Sequence, residues 1–129
     1  MNDIPIHQGS CHCGRVRFAL QAHINFVMDC NCSLCRRRGA LWQGASDQQL
    51  TVVAGEEDLV LYQFNTLTAK HYFCRHCGIH PFARPRLDSS KWVVNVRCID
   101  GVDLAALPVR HFDGEHWEAA AQAFFAGRK

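Results

Sequence analysis

No stretch of this chain of 129 residues approaches the roughly eighteen consecutive apolar residues that a membrane span needs. The opening segment, MNDIPIHQGS, has no basic stretch followed by an apolar run, so no secretory leader is expected. Charge of one sign is also in short supply. Fourteen Lys and Arg against twelve Asp and Glu leave a net +2, too small an excess to make nucleic acid the expected partner. Lysine itself is scarce, three residues against eleven Arg, and Arg favours planar, bidentate contacts to a small carboxylate or phosphate ligand. There is no Ser-His-Asp order, phosphate loop or dinucleotide fingerprint, which removes hydrolase and nucleotide-dependent readings. Repeats, low-complexity tracts and linker-like shifts in composition are missing too, so residues 1–129 read as one domain.

Helical periodicity is sparse, and what remains is mostly β. Val16, Phe18 and Leu20 alternate with Arg15, Arg17 and Ala19, the pattern of a half-buried strand. Further strands are expected at 24–29, 40–44, 50–54, 58–64, 70–74 and 91–98, separated by turn residues such as Gly55, Pro81, Pro85 and Asp100-Gly101. Two short helices are expected, one over 33–38 capped by Ser33 and one over 118–127 ending at Gly127. The fold class is therefore all-β, with packed small sheets and a short C-terminal helix.

The eight cysteines carry most of the information, and seven fall in three tight clusters: Cys11-x-Cys13, Cys30-x-Cys32-x-x-Cys35 and Cys74-x-x-Cys77. Closely spaced thiols converge on one ion, whereas a secreted disulfide scaffold scatters its cysteines to tie distant loops together. A reducing, cytoplasmic compartment is therefore expected. Cys11, Cys13, Cys74 and Cys77 form two pairs that together suit a closed, tetrahedral structural zinc. Gly14 and Gly78 directly follow the pairs, where a missing Cβ is expected to let backbone amides approach the sulfurs. Cys30, Cys32 and Cys35 supply three thiolates and no evident fourth ligand, leaving the open position that marks a catalytic-type zinc. Zinc with three thiolates is net negative, hence a poor Lewis acid but a suitable seat for an exogenous sulfur that stays nucleophilic. A closed site completed by His12, His71, His76 or His80 is the alternative. Arg36, Arg37 and Arg38 follow the trio and are candidates for offsetting its charge or binding an acidic ligand.

The order Gly9-Ser10-Cys11-His12-Cys13-Gly14-x-Val16-x-Phe18, Cys30-Asn31-Cys32-Ser33-x-Cys35-Arg36 and Phe73-Cys74-x-x-Cys77-Gly78-Ile79-x-Pro81-Phe82 resembles the glutathione-dependent formaldehyde-activating enzyme family, also called the CENP-V/GFA domain. The resemblance implies an Mss4-like, zinc-stapled β-sheet fold and two zinc ions per chain. One would be structural at Cys11, Cys13, Cys74 and Cys77, the other catalytic-type at Cys30, Cys32 and Cys35. It also implies a carbon-sulfur lyase activity in which glutathione, or another small thiol, adds to formaldehyde or another small electrophile.

Two other classes compete. A non-catalytic zinc module that binds a thiol or a protein partner fits the same cysteines, because fold does not fix function. The stretch Arg97-Cys98-Ile99 resembles the strand bearing the nucleophilic Cys of B-type methionine sulfoxide reductases, and Arg97 could lower the Cys98 pKa if it lay alongside. A buried, inert Cys98 is the simpler expectation. The aromatics Trp42, Tyr62, Phe64, Tyr72, Phe73, Phe82, Trp92, Phe112 and Trp117 are expected in the core, with Trp42, soon after the trio, the candidate for lining a pocket. His111 and His116 have no partner legible in the sequence.

Overall fold

The computed structural model describes residues 3–126. It contains two β-sheets and two helices. A three-stranded antiparallel sheet has the order β1 (Ile6–Ser10), β2 (Arg17–Gln21), β5 (Leu50–Ala54). A seven-stranded sheet runs β10 (Val109–Phe112), β3 (Val27–Cys30), β4 (Trp42–Ala45), β9 (Trp92–Asn95), β8 (Phe82–Arg84), β7 (Lys70–Cys74), β6 (Leu59–Tyr62). Its neighbours are antiparallel except β10, which lies parallel to β3 with Phe112 opposite Cys30. None of the helices is long and apolar enough to cross a membrane among the described residues.

Alternation along the strands gives the large sheet two different faces. Phe82 and Val94 turn toward the three-stranded sheet and pack with Val16, Phe18, Leu20 and Leu50. The Phe18 and Phe82 rings meet edge to face at 5.8 Å, the quadrupole-favoured arrangement. Burying side chains of this size contributes about 1.5–3 kcal/mol each, so this layer is the main source of stability. The neighbouring residues Ala83 and Val93 face the other way and pack with Trp42, Ala40 and Cys35. The cysteine trio therefore lies on the opposite side of the large sheet from the main core.

The helix α1 (Ser33–Arg38) begins directly after the second cysteine of the trio. Its cap is Cys32 and not Ser33: the Cys32 sulfur accepts the Cys35 backbone N–H at 3.3 Å, the place a Ser hydroxyl would take one residue later. The C-terminal helix α2 (Trp117–Ala126) covers part of the trio's side of the sheet; the expected stop at Gly127 lies outside the described residues. The strand expected over 91–98 ends at Asn95, whose side-chain oxygen accepts the Arg97 N–H at 3.2 Å and turns 96–98 into a single 3-10 turn. Strands β1, β8 and β10 were not expected from the pattern.

Candidate metal centres and the cavity beside them

Cys11 and Cys13 sit in the turn joining β1 to β2; Cys74 is the last residue of β7, and Cys77 lies in the turn joining β7 to β8. Their four sulfurs lie within 4.8 Å of one another. The Cys11–Cys13 and Cys13–Cys74 sulfur separations are 3.5 and 3.6 Å, close to the about 3.8 Å edge of a tetrahedron of sulfurs at 2.3 Å from zinc. They are far from the about 2.05 Å of a disulfide. The donor set thus suits zinc, and an ion there would tie the small sheet to the large one.

Backbone amides are aimed at these sulfurs: Val16 N–H donates to Cys11 at 3.3 Å and His76 N–H to Cys74 at 3.4 Å. The Arg15 backbone N–H is the main reason the Cys13 thiol falls to about 6, while burial pushes Cys74 up to about 11. Gly14 and Gly78 serve differently than expected. They adopt left-handed φ values of 83° and 79°, and a Cβ on Gly78 would meet nothing within 4 Å, so backbone conformation and not close approach selects glycine there.

The second group forms where β3 runs into α1. The sulfurs of Cys30, Cys32 and Cys35 also lie within 4.8 Å of one another, and no His, Asp or Glu joins them among the described residues. His76 instead bonds Asp58 at 2.8 Å, and His12 is exposed. Hydrogen bonds from the Cys30 thiol, then from Cys35, hold Cys32 far below the usual thiol range; the bond to Cys32 pushes Cys30 up to about 11, and bonds to Cys30, then to Cys32, push Cys35 higher still. One thiol of the three thus ionises readily while the other two stabilise it, a donor set that a soft divalent metal such as zinc would complete.

A loop from the far end of the chain covers this trio. After β10 the chain passes through Gly114, where a Cβ would come to 2.6 Å from the Cys30 sulfur and 2.8 Å from the Cys32 Cβ. Asn31 fixes the loop from both sides, donating to Asp113 Oδ1 at 3.0 Å and accepting from the Glu115 backbone N–H at 3.0 Å. His116 bonds Asp113 at 2.9 Å, and His111 lies 3.6 Å from Asp29, which supplies both of these histidines with partners. Neither Gly114 nor the clamp by Asn31 was legible in the sequence.

The trio opens on a cavity of about 620 Å³. Cys30, Cys32 and Cys35 line it together with Trp42, as expected, but Phe64, Trp92, Phe112 and Trp117 line it too and so are not simply core residues. Phe82 does sit in the core, at 1% exposure, and Tyr72 packs half-buried against it, whereas Tyr62, expected in the core, is exposed. The three arginines after the trio do not line the cavity: Arg37 donates to the Ser33 carbonyl at 2.8 Å, Arg38 lies over Phe73, and Arg36 is exposed. Its cations are Arg86 and Lys91.

His71 is a cavity-lining residue whose Nδ1 is sealed without a hydrogen-bond partner. Its ring packs edge-on at 5.1 Å against His80, which is 3% exposed and has both ring nitrogens unpartnered. Burial lowers both, His80 to about 3, so the two imidazoles are neutral near pH 7. Cys98 is the opposite of an attacking thiol: burial pushes it up to about 12, and Arg97 turns away to the Gly39 carbonyl at 2.9 Å.

Comparison with known proteins agrees with this arrangement. A curated Halomonas elongata protein named "Putative glutathione-dependent formaldehyde-activating enzyme" is 31% identical over 98 residues, which take in 59% of this chain and 62% of that protein. The chain thus spans less than two thirds of that relative's length. A crystal structure of a Rhodobacter sphaeroides protein superposes with a TM-score of 0.71 at 43% identity, covering 79% of this chain and 98% of the other. The family model described as glutathione-dependent formaldehyde-activating enzyme matches residues 6–116, which include all seven clustered cysteines and the Gly114 loop, and the chain belongs to that family.

Proposed function

We propose that the chain is a zinc-dependent, carbon-sulfur bond-forming enzyme that joins a thiol such as glutathione to formaldehyde or another electrophile in a reducing, cytoplasmic setting. The observation that carries this reading is the trio itself: three converging sulfurs at the wall of a cavity, with no fourth protein ligand among the described residues. Zinc bound by Cys30, Cys32 and Cys35 would supply a centre that holds the substrate sulfur in its thiolate form. Cys11, Cys13, Cys74 and Cys77 would hold a second, structural ion.

The chain's own residues account for the rest. In the addition, a carbon-sulfur bond forms, the carbonyl π pair moves onto oxygen, and the thiol proton ends on that oxygen. His71 is our candidate for this transfer: it lines the cavity, its imidazole is neutral, and with Nδ1 sealed the proton would be taken up and returned at Nε2. Trp42 and the loop held by Asn31 confine the reactants beside the sulfurs and exclude water. Following S-hydroxymethylglutathione by carbon-13 NMR tests the reading. Wild type should accelerate its formation and Cys32→Ser should not; equal rates with and without the protein would favour a thiol-binding module without catalysis.

A further inference from the structure

The cavity's size and lining fit formaldehyde poorly. Formaldehyde has two heavy atoms, close to a water molecule whose share of liquid volume is about 30 Å³, against a cavity of about 620 Å³. Glutathione does not explain the difference. It ends in two carboxylates and an ammonium group, which need polar partners, whereas the walls beyond the sulfurs are chiefly aromatic and aliphatic, among them Phe26, Met28, Phe64, Val93, Phe112 and Phe124. The charged lining residues are Arg86, Lys91, Asp88, Glu115 and Glu118, three acids against two cations. Arg86 is already engaged, stacked 3.8 Å over Trp117 and paired with Glu118 at 3.2 Å. The uncharged polar lining adds Gln43, Asn65, Thr66 and His71, so a doubly carboxylated peptide meets few cationic partners in this cavity.

We infer that the electrophile is an aldehyde carrying a bulky apolar group, aromatic or a chain of about six or more carbons, whose substituent fills the aromatic cavity while its carbonyl meets the trio. This rests on the thiol-addition reading and narrows its substrate class. The step balances without a further reactant: the thiol sulfur bonds the carbonyl carbon, the π pair goes to oxygen, and the sulfur's proton follows it to give a hemithioacetal. Complete burial of a methylene is worth about fourfold in affinity, so chain length is the variable the cavity should read.

All three tryptophans of the chain, Trp42, Trp92 and Trp117, line the cavity, which makes intrinsic fluorescence a direct reporter. The zinc-loaded protein would be titrated with S-methyl-, S-butyl- and S-octylglutathione, unreactive adduct analogues. In parallel, hemithioacetal formation from glutathione would be followed with formaldehyde and with octanal. Affinity should rise at least tenfold from S-methyl to S-octyl, kcat/KM should favour octanal, and Trp117→Ala should reduce the chain-length gain. Affinity independent of chain length, with formaldehyde turned over, overturns the inference and leaves the addition chemistry standing. Chain-length dependence with neither aldehyde turned over supports the apolar ligand class and sinks the addition chemistry instead. A response lost as protein concentration rises, with doubled mass in sedimentation, gives the cavity to a second copy of the chain and overturns the inference.

Discussion

Replacing Gly114 by Ala puts the account of the trio under direct strain. The new Cβ would stand 2.6 Å from the Cys30 sulfur and 2.8 Å from the Cys32 Cβ, against about 3.5–4.0 Å for an ordinary contact. Something must therefore move by about 1 Å. The loop is poorly able to yield, because Asn31 holds Asp113 and Glu115 at 3.0 Å each and the Asn31 N–H donates to the Phe112 carbonyl at 3.2 Å. Overpacking of this kind costs about 1–3 kcal/mol, roughly 3–12 °C in Tm for a domain of this size. Should the Cys30 side chain yield instead, the three sulfurs lose their common focus and a zinc ion at the trio would be held less tightly. Calorimetric melting together with chelator titration of the zinc-loaded protein separates these responses. The expected result is a lower Tm, a weakened second ion, or both, with the ion at Cys11, Cys13, Cys74 and Cys77 retained. Unchanged melting and unchanged affinity at both sites would refute the placement of the loop over the trio.

Cys74→Ser should leave the chain unfolded by circular dichroism, since a structural zinc contributes about 10–16 kcal/mol, comparable to a whole domain's stability of about 5–15; a cooperative melt in that variant would count against the stapling role. His71→Gln should lower kcat by roughly 10²–10⁴-fold with two zinc ions still bound, and a wild-type rate would remove His71 from the proton transfer. His80 supplies a pH signature. Its folded pKa of about 3 lies below the ordinary 6.5, so the unfolded chain binds the extra proton as pH falls, and the stability present above pH 6.5 is lost on acidification. Between pH 7 and 5 this amounts to about 2 kcal/mol. His80→Phe should flatten the stability profile by that much in urea melts; an identical slope would contradict its burial as a neutral ring.

The cysteine spacing made both sulfur clusters legible, because sulfurs two or three residues apart cannot easily point to different places. β5 and β7 were legible with their bounds, 50–54 and 70–74, and so was α1 over 33–38. Other elements had no local signal to read. β8 is three residues between Pro81 and Pro85, and β10 is a short edge strand with three of its four residues exposed, so neither shows an apolar period. Gly114 lies 84 residues beyond Cys30 in the chain, and only the parallel pairing of β10 with β3 brings them together. The expectation of core positions held for Phe82 but missed the cavity lined by Phe64, Trp92, Phe112 and Trp117, because composition cannot separate a ring packed against neighbours from one packed around a hollow. Asn95 carried a faint signal as a polar residue closing an apolar strand, and its amide indeed bonds the His80 carbonyl at 3.0 Å.

Elemental analysis of anaerobically purified protein, run on wild type and Cys32→Ser with circular dichroism on both, probes the two-centre account most directly. Two zinc ions per wild-type chain, and one in a variant that keeps its β-sheet spectrum, is the expected outcome. One ion or none in the wild type, or an unfolded variant, would contradict the division into a structural centre and an open one.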